Sequence, residues 1–376
     1  MKDQITLKTK SKEFKTTISI GFDLLKNPLF LLLCQEQRSP FAIVTDDHVG
    51  KLYGQSLLDF LTEAGLEVTL HTFKAGEQSK SRSVKEHLED ELFHAGHGRG
   101  STLIALGGGV TTDLVGYIAA TFCRGVPYIS IPTSLLGMVD ASIGGKTGIN
   151  VSFGKNLIGA TYHPLAIFMD LSFLSTLSDD GIREGTAEIL KHGLIEHSYL
   201  FEMLDEDLEK WTERDMPFFK KLVYESCQVK RKVVEADPYE KGMRRMLNFG
   251  HTIGHAIEVL EEYKMPHGEA VALGMVVESM ISFKLGKISE SEFDEIYNLI
   301  KVMGYRLSIS EKVTERQMLH MMRFDKKAKK RTPRFVILDG IGKVESFKDA
   351  YCTEIDEDLL DETLGWMVAE FYKGNA

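Results

Sequence analysis

Up to about residue 171, short runs rich in β-branched and aromatic residues alternate with stretches of helical period: FAIVTDD (41–47), LEVTLHTF (66–73), STLIAL (101–106), VPYISIP (126–132) and LAIFMDL (165–171). Strands spaced by helices in this way predict βαβ units around a parallel sheet, which takes ligands at the carboxyl ends of its strands. Past Ser178 the rhythm changes. Apolar residues recur at helical spacing through IREGTAEILKHGLIEHSYLFEMLDEDLEKW (182–211), FFKKLVYESCQVKRKVVEAD (218–237), TIGHAIEVLEEY (252–263) and EAVALGMVVESMISFKLG (269–286), and only RFVILDGIGKVESF (334–347) predicts a strand pair. The expectation is an α/β protein, residues 1–177 forming a parallel-sheet domain and 178–376 a mostly α-helical one, with the active site in the cleft between them.

A chain of 376 residues is long enough for two such domains. Its formal net charge of -10 opposes non-specific binding to nucleic acid or anionic lipid, so a phosphate-bearing ligand must meet a local basic pocket. Cys34, Cys123, Cys227 and Cys352 show no paired spacing, which predicts neither a disulfide framework nor a thiolate metal site and fits a reducing cytosol. PLFLLLC (28–34) is too short to span a bilayer, and the first residues, MKDQITLKTKSKEF, lack the apolar core of an export signal.

TLIALGGGVTTDLVGYIAATF (102–122) reads as strand, glycine turn and helix, in the Rossmann-like manner. Gly107, Gly108 and Gly109 let the backbone approach a ligand, and the helix N-terminus offers unpaired N–H groups to a pyrophosphate. The GxGxxG fingerprint is absent, so a plain tight turn is the competing reading. In AGEQSKS (75–81), Glu77 and Lys80 are candidate ribose or phosphate contacts, or simply part of a helix cap. DASIGGKTGINVSFGKNLIGATYHP (140–164) reads as a long glycine-rich functional loop whose Lys146, Lys155 and Asn156 suit an anionic substrate.

RRMLNFGHTIGHAIEVLEEYKMPHGEA (244–270) concentrates His251, His255 and His267 with Glu258 close by. His251 and His255 are one helical turn apart and share a face; Glu258 lies one turn further. Thr252 stands where the zinc-protease pattern HExxH needs its glutamate, which removes that reading. On another helix, EGTAEILKHG supplies Glu188, Lys191 and His192. Singly, each of these is more often a surface or satisfied core residue. Together, two histidines and a carboxylate from separate helices match a set that leaves open positions on Zn²⁺ or a similar ion, although spacing alone does not choose among them. Arg244, Asn248, Lys230 and Lys232 add anion-binding capacity, and RFDKKAKKR (323–331) is either a solvated basic face or a cover for phosphate.

LGGGVTTDLVGYIAATFCRGVPYISIPTSLLGMVDASIGGKTGIN, GKNLIGATYHP, GTAEILKHG and LNFGHTIGHAIE followed by HGEAVALGM closely resemble the 3-dehydroquinate synthase family, sugar-phosphate cyclases of the shikimate pathway, over nearly the whole chain, from VTDDHVG to DKK (325–327). The resemblance implies a cytoplasmic homodimeric enzyme that uses NAD and one divalent ion, Zn²⁺ or Co²⁺, on a phosphorylated sugar acid. It carries the metal ligands onto Glu188, His251 and His267, which implies that His255 serves the substrate. Substrate contacts fall on Arg124, Asp140, Lys146, Asn156, Lys191, Lys230, Arg244, Asn248, His255 and Lys326. Cofactor contacts fall on Asp46, Glu77, Lys80, Gly107, Gly108, Gly109, Asp113, Thr133, Ser134, Lys146, Lys155, Phe173, Thr176 and Leu177, with His48 beside them.

The chain departs from the family at TLSDDGIRE, where Ser178, Asp180 and Gly181 replace the usual Pro, Arg and Glu; Glu184 is the expected substitute for the lost cofactor-side carboxylate. PTS at 132–134 for the usual PTT keeps its hydroxyl. The implied reaction is transient oxidation, β-elimination of phosphate, reduction and intramolecular aldol closure. The alternatives are a cyclase acting on a sugar phosphate without the carboxylate, against which Arg244, Asn248 and His255 speak, a metal-dependent alcohol or glycerol dehydrogenase, and a binding protein that has lost its chemistry.

Overall fold

Phe41, Ala42, Ile43 and Val44 are all fully buried, which consecutive strand residues achieve only when both faces of their sheet are covered. Phe41 and Ile43 join one apolar cluster, Ala42 and Val44 the other. The same alternation divides Ile104 and Leu106 from Leu103 and Ala105. In this computed structural model, which describes residues 15–37, 39–324 and 332–372, the strands are β1 (Thr17–Gly21), β2 (Phe41–Asp46), β3 (Val68–Phe73), β4 (Thr102–Gly107), β5 (Tyr128–Pro132), β6 (Lys146–Val151), β7 (Gly154–Thr161) and β8 (Ala166–Asp170).

Six of them form a parallel sheet in the order β1-β8-β5-β4-β2-β3. From β2 the chain first steps outward to β3 and then returns to the opposite side of β2 as β4. That reversal leaves a crevice beyond the carboxyl ends of β2 and β4, where Asp46 and the glycine turn lie. Gly107 has φ 158, and a side chain there would strike Thr111. Helix α1 (Gly109–Thr121) starts at this turn and presents its N-terminus to the crevice.

The five expected strands of the first half are present, and β1, pairing along β8, is an addition. The glycine-rich stretch is a correction: β6 and β7 form an antiparallel hairpin, not a loop. Gly148 faces Gly159, and a Cβ on either would collide with the other strand. Glycine at those positions erased the alternation by which a strand is recognised. RFVILDGIGKVESF gives only isolated bridges, including Leu338 with Val344.

The second half is helical. Helix α2 (Asp179–Glu196) begins at Ser178, whose Oγ accepts the Gly181 N–H at 3.2 Å. The 182–211 stretch is three helices, broken at His197 and Asp207. Helix α3 (Met216–Ala236) packs on α2, and α4 (His251–Leu260) crosses α5 (His267–Lys284) closely. The crossing depends on glycine: a Cβ on Gly254 would lie 2.9 Å from the Ala270 carbonyl oxygen, and one on Gly274 would collide with the Gly250 carbonyl. Among the described residues, no helix is long and apolar enough to cross a membrane.

Candidate active site

Three helices deliver Glu188, His251 and His267 to one point, their ligand atoms all within 4.8 Å of one another. Nε2 of His251 lies 3.4 Å and Nε2 of His267 3.7 Å from Glu188 Oε1. That oxygen is buried without a hydrogen-bond partner, a costly state for a carboxylate that a cation between the three groups would relieve. Nδ1 of His251 is 3.0 Å from the Phe249 carbonyl, which can only accept, so Nδ1 carries a proton and Nε2 is the nitrogen turned to Glu188. The donor set fits a divalent ion of the zinc type.

Charges in the cluster support one another. Burial would raise the Glu188 carboxyl, but Lys191 and His251 hold it well below the usual range. Burial opposes protonation of His267, yet the carboxylates of Glu188 and Glu258 raise it to about 10. Burial and the neighbouring Lys191 and Lys230 push His192 down to about 3, leaving it neutral, with Nδ1 2.8 Å from Ser226 Oγ. Two further trios are equally close, His255–Glu258–His267 and Asp140–Glu188–His192. In the first, however, Glu258 is engaged by Lys155 at 3.1 Å, and in the second Lys230 occupies Asp140 while Lys191 takes the other Glu188 oxygen.

Cationic and amide groups surround this centre. Lys191 and Lys230 come from α2 and α3, and Lys230 holds the Asp140 carboxyl far down against the effect of burial. Lys146, at the start of β6, pairs with Glu240, whose other oxygen accepts from Asn248 Nδ2 at 2.8 Å. The His255 ring lies 5.3 Å from that of His251 and 6.1 Å from that of His267. Arg244 is 1% exposed and donates to the carbonyls of Pro238 at 2.7 Å and Gly144 at 3.1 Å; its Nε–H is buried and unpaired. Part of its guanidinium fork therefore seats the Gly144 turn.

On the sheet side, Lys80 donates to Asp113 and to Asn156, each at 2.6 Å. Burial raises the Asp113 carboxyl to about 6, with Lys80 opposing. Asp46 caps the following turn by accepting from the N–H groups of His48 and Val49 at 3.0 and 2.9 Å; His48 itself is exposed. Ser134 accepts from the Gly137 N–H at 3.1 Å and lies against Gly108, and Thr133 is buried just after β5. Phe173 and Thr176 follow the carboxyl end of β8 and meet Tyr53, whose ring is 4.5 Å from Phe173 and whose hydroxyl is 2.5 Å from Thr176 Oγ1, while the Leu177 carbonyl accepts from Arg214 at 2.7 Å.

Three further residues have other surroundings. Within one chain Arg124 lies exposed just past the far end of α1, whose 13 residues carry the chain about 20 Å from the glycine turn. Glu184 lies where α2 meets the first turn of α5, against Gly268, and burial raises its carboxyl while the neighbouring His267 opposes the shift. Lys232, exposed, pairs with Glu196. Lys326 lies outside the described residues. The departures at Asp180 and Ser178 are absorbed locally, by an ion pair with Arg183 and by the α2 cap.

Two contributors were missed. Glu240 bridges Lys146 and Asn248, and Asn150 bridges Glu77 and the hairpin, donating to Glu77 Oε1 at 2.7 Å and accepting from the Asn156 N–H at 2.9 Å. Asn150 carried a signal, since it lies in the glycine-rich stretch beside Lys146; Glu240 carried none.

A nucleotide-type crevice on a parallel sheet, opposed by a helical half that offers two imidazoles and a buried carboxylate, defines a metal-dependent α/β enzyme. Models of the N-terminal and C-terminal parts of 3-dehydroquinate synthase match residues 70–184 and 185–328. The 3-dehydroquinate synthase of Caldanaerobacter subterraneus subsp. tengcongensis is 37% identical over 348 residues, covering 91% of this chain and 96% of that one. Among solved structures, 2-epi-5-epi-valiolone synthase from Streptomyces hygroscopicus subsp. jinggangensis 5008, with NAD⁺ and Zn²⁺ bound, superposes with a TM-score of 0.87 at 27% identity, covering 97% of this chain and 99% of that one. A 2-deoxy-scyllo-inosose synthase complexed with carbaglucose-6-phosphate, NAD⁺ and Co²⁺ gives 0.82 at 25% identity, covering 92% and 95%. The chain belongs to the 3-dehydroquinate synthase family.

Proposed function

We propose that this protein converts 3-deoxy-D-arabino-heptulosonate 7-phosphate to 3-dehydroquinate and phosphate, with NAD⁺ at the sheet crevice and a divalent ion at Glu188, His251 and His267. The observation that carries the reading is the meeting of that trio with a shell of lysines. When bound, NAD⁺ takes up and returns a hydride, and the ion acts as a Lewis acid on a substrate hydroxyl. The protein's own residues bind and orient. Lys146, Lys191, Lys230 and Asn156 supply charge-assisted hydrogen bonds to the phosphate and hydroxyl oxygens. Arg244, Asn248 and His255 take the carboxylate end, and Asp140 keeps Lys230 in place. The substrate phosphate serves as the base in its own elimination. Holding one flexible substrate through several steps is worth up to roughly 7–11 kcal/mol of barrier.

The cofactor side comprises Asp46, Glu77, Lys80, Gly107, Gly108, Gly109, Asp113, Thr133, Ser134, Lys155, Phe173, Thr176 and Leu177. The division of labour falls at residues 177 and 178, and the working form is a cytoplasmic homodimer. Phosphate release from the heptulosonate phosphate, abolished by chelator and restored by Zn²⁺ or Co²⁺, is the expected result. Sustained accumulation of NADH with a simple alcohol would replace this reading with a dehydrogenase, and turnover of a sugar phosphate lacking the carboxylate would replace it with another cyclase. An Arg244→Lys chain with an unchanged Michaelis constant would remove Arg244 from substrate binding.

A further inference from the structure

Glu258 is neither in the ligand trio nor among the substrate and cofactor residues, yet it is 3% exposed and touches both halves of the molecule. It sits two turns beyond His251 on the same face of α4. Its Oε1 lies 3.5 Å from Nδ1 of His267 and 3.1 Å from Nζ of Lys155, which the β6–β7 hairpin sends across from the sheet half. The Tyr263 ring covers the same ammonium at 4.3 Å.

An imidazole that binds an ion through Nε2 works best when its Nδ1–H is held, because the partner fixes the tautomer and ring orientation and raises the basicity of the binding nitrogen. For His251 the Phe249 carbonyl does this. For His267 the group in place is Glu258, and the same oxygen also anchors the hairpin. The hairpin in turn walls the sheet side, through Asn150 on Glu77 and Asn156 on Lys80.

We propose that Glu258 is a positioning residue that orients His267 for the divalent ion and, through Lys155, ties the β6–β7 hairpin to the metal centre, so that ion binding tightens the hairpin. The inference rests on the metal site proposed above.

The test uses the full-length chain stripped of metal, without NAD⁺. Zn²⁺ affinity is measured by competition with a chromophoric chelator, and amide hydrogen exchange of residues 146–161 is followed with and without Zn²⁺. Zn²⁺ slows exchange of the wild-type hairpin. Glu258→Gln binds Zn²⁺ about tenfold to a hundredfold more weakly, and its hairpin does not respond even when saturated. Lys155→Met keeps the wild-type affinity and loses the response, and it carries the test if the glutamine chain fails to fold. Unchanged affinity in Glu258→Gln, or a hairpin response that survives in either variant, overturns the proposal. So does loss of Zn²⁺ binding in Glu258→Gln with retention in Glu188→Gln, which would make Glu258 a ligand. If the wild-type chain takes up no Zn²⁺, the underlying metal-site reading has failed and the inference falls with it.

Discussion

Glu188 Oε1 and His251 Nε2 face each other across 3.4 Å, deep in the protein, where the Glu188 oxygen is buried. A carboxylate oxygen and an imidazole nitrogen held at this spacing are two corners of a coordination shell. Glu188→Gln should lower Zn²⁺ affinity by more than about a hundredfold and abolish phosphate release, with helical circular dichroism unchanged. Equilibrium dialysis with metal analysis checks the first part, and a phosphate-release assay the second.

Lys146 is held by Glu240 at the mouth of the hairpin. A hydrogen bond to a charged group contributes about 1.5–3 kcal/mol, so Lys146→Met should raise the Michaelis constant for the heptulosonate phosphate roughly ten- to a hundredfold. Steady-state kinetics at saturating NAD⁺ and metal measures it.

Asp113 titrates near 6 because burial disfavours its charge more than Lys80 compensates. Its folded pKa is raised, so its favourable contribution to stability is fully present below its unfolded value and is lost as pH rises through about 6. The amide that replaces the carboxyl in Asp113→Asn cannot titrate. Urea denaturation of wild type and this variant between about pH 4.5 and 7.5 should therefore show the variant gaining on the wild type as pH rises, with no further change above about pH 7.

Gly274 lies where α5 passes the Gly250 carbonyl. Gly274→Ala must push the two helices apart, at a cost of about 1–3 kcal/mol or more. Because α4 and α5 carry His251 and His267, Zn²⁺ affinity should fall together with the melting temperature. Calorimetry of the metal-free and metal-loaded protein would separate the two effects.

The parallel sheet was legible because its strands are buried on both faces and read as unbroken apolar runs, and His251, His255 and Glu258 were legible because one helical face gathers them. The hairpin was not, since Gly148 and Gly159 remove the alternation that marks a strand. Glu240 was invisible for a different reason: its contact with Lys146 spans 94 residues and exists only once the two halves meet. Arg124 illustrates the converse, as it lies in an informative motif while α1 carries it to the opposite end of the sheet.

The apolar cluster beneath one face of the sheet, where Ile43, Ile104 and Ile129 lie, continues without interruption to Ile189, Leu222, Ile253 and Val276 in the helices. Neither segment owns that interior. Cut after residue 177, the sheet would bare to water the part of that face which the later helices cover and be prone to aggregate, so melting of the intact polypeptide should be a single cooperative event.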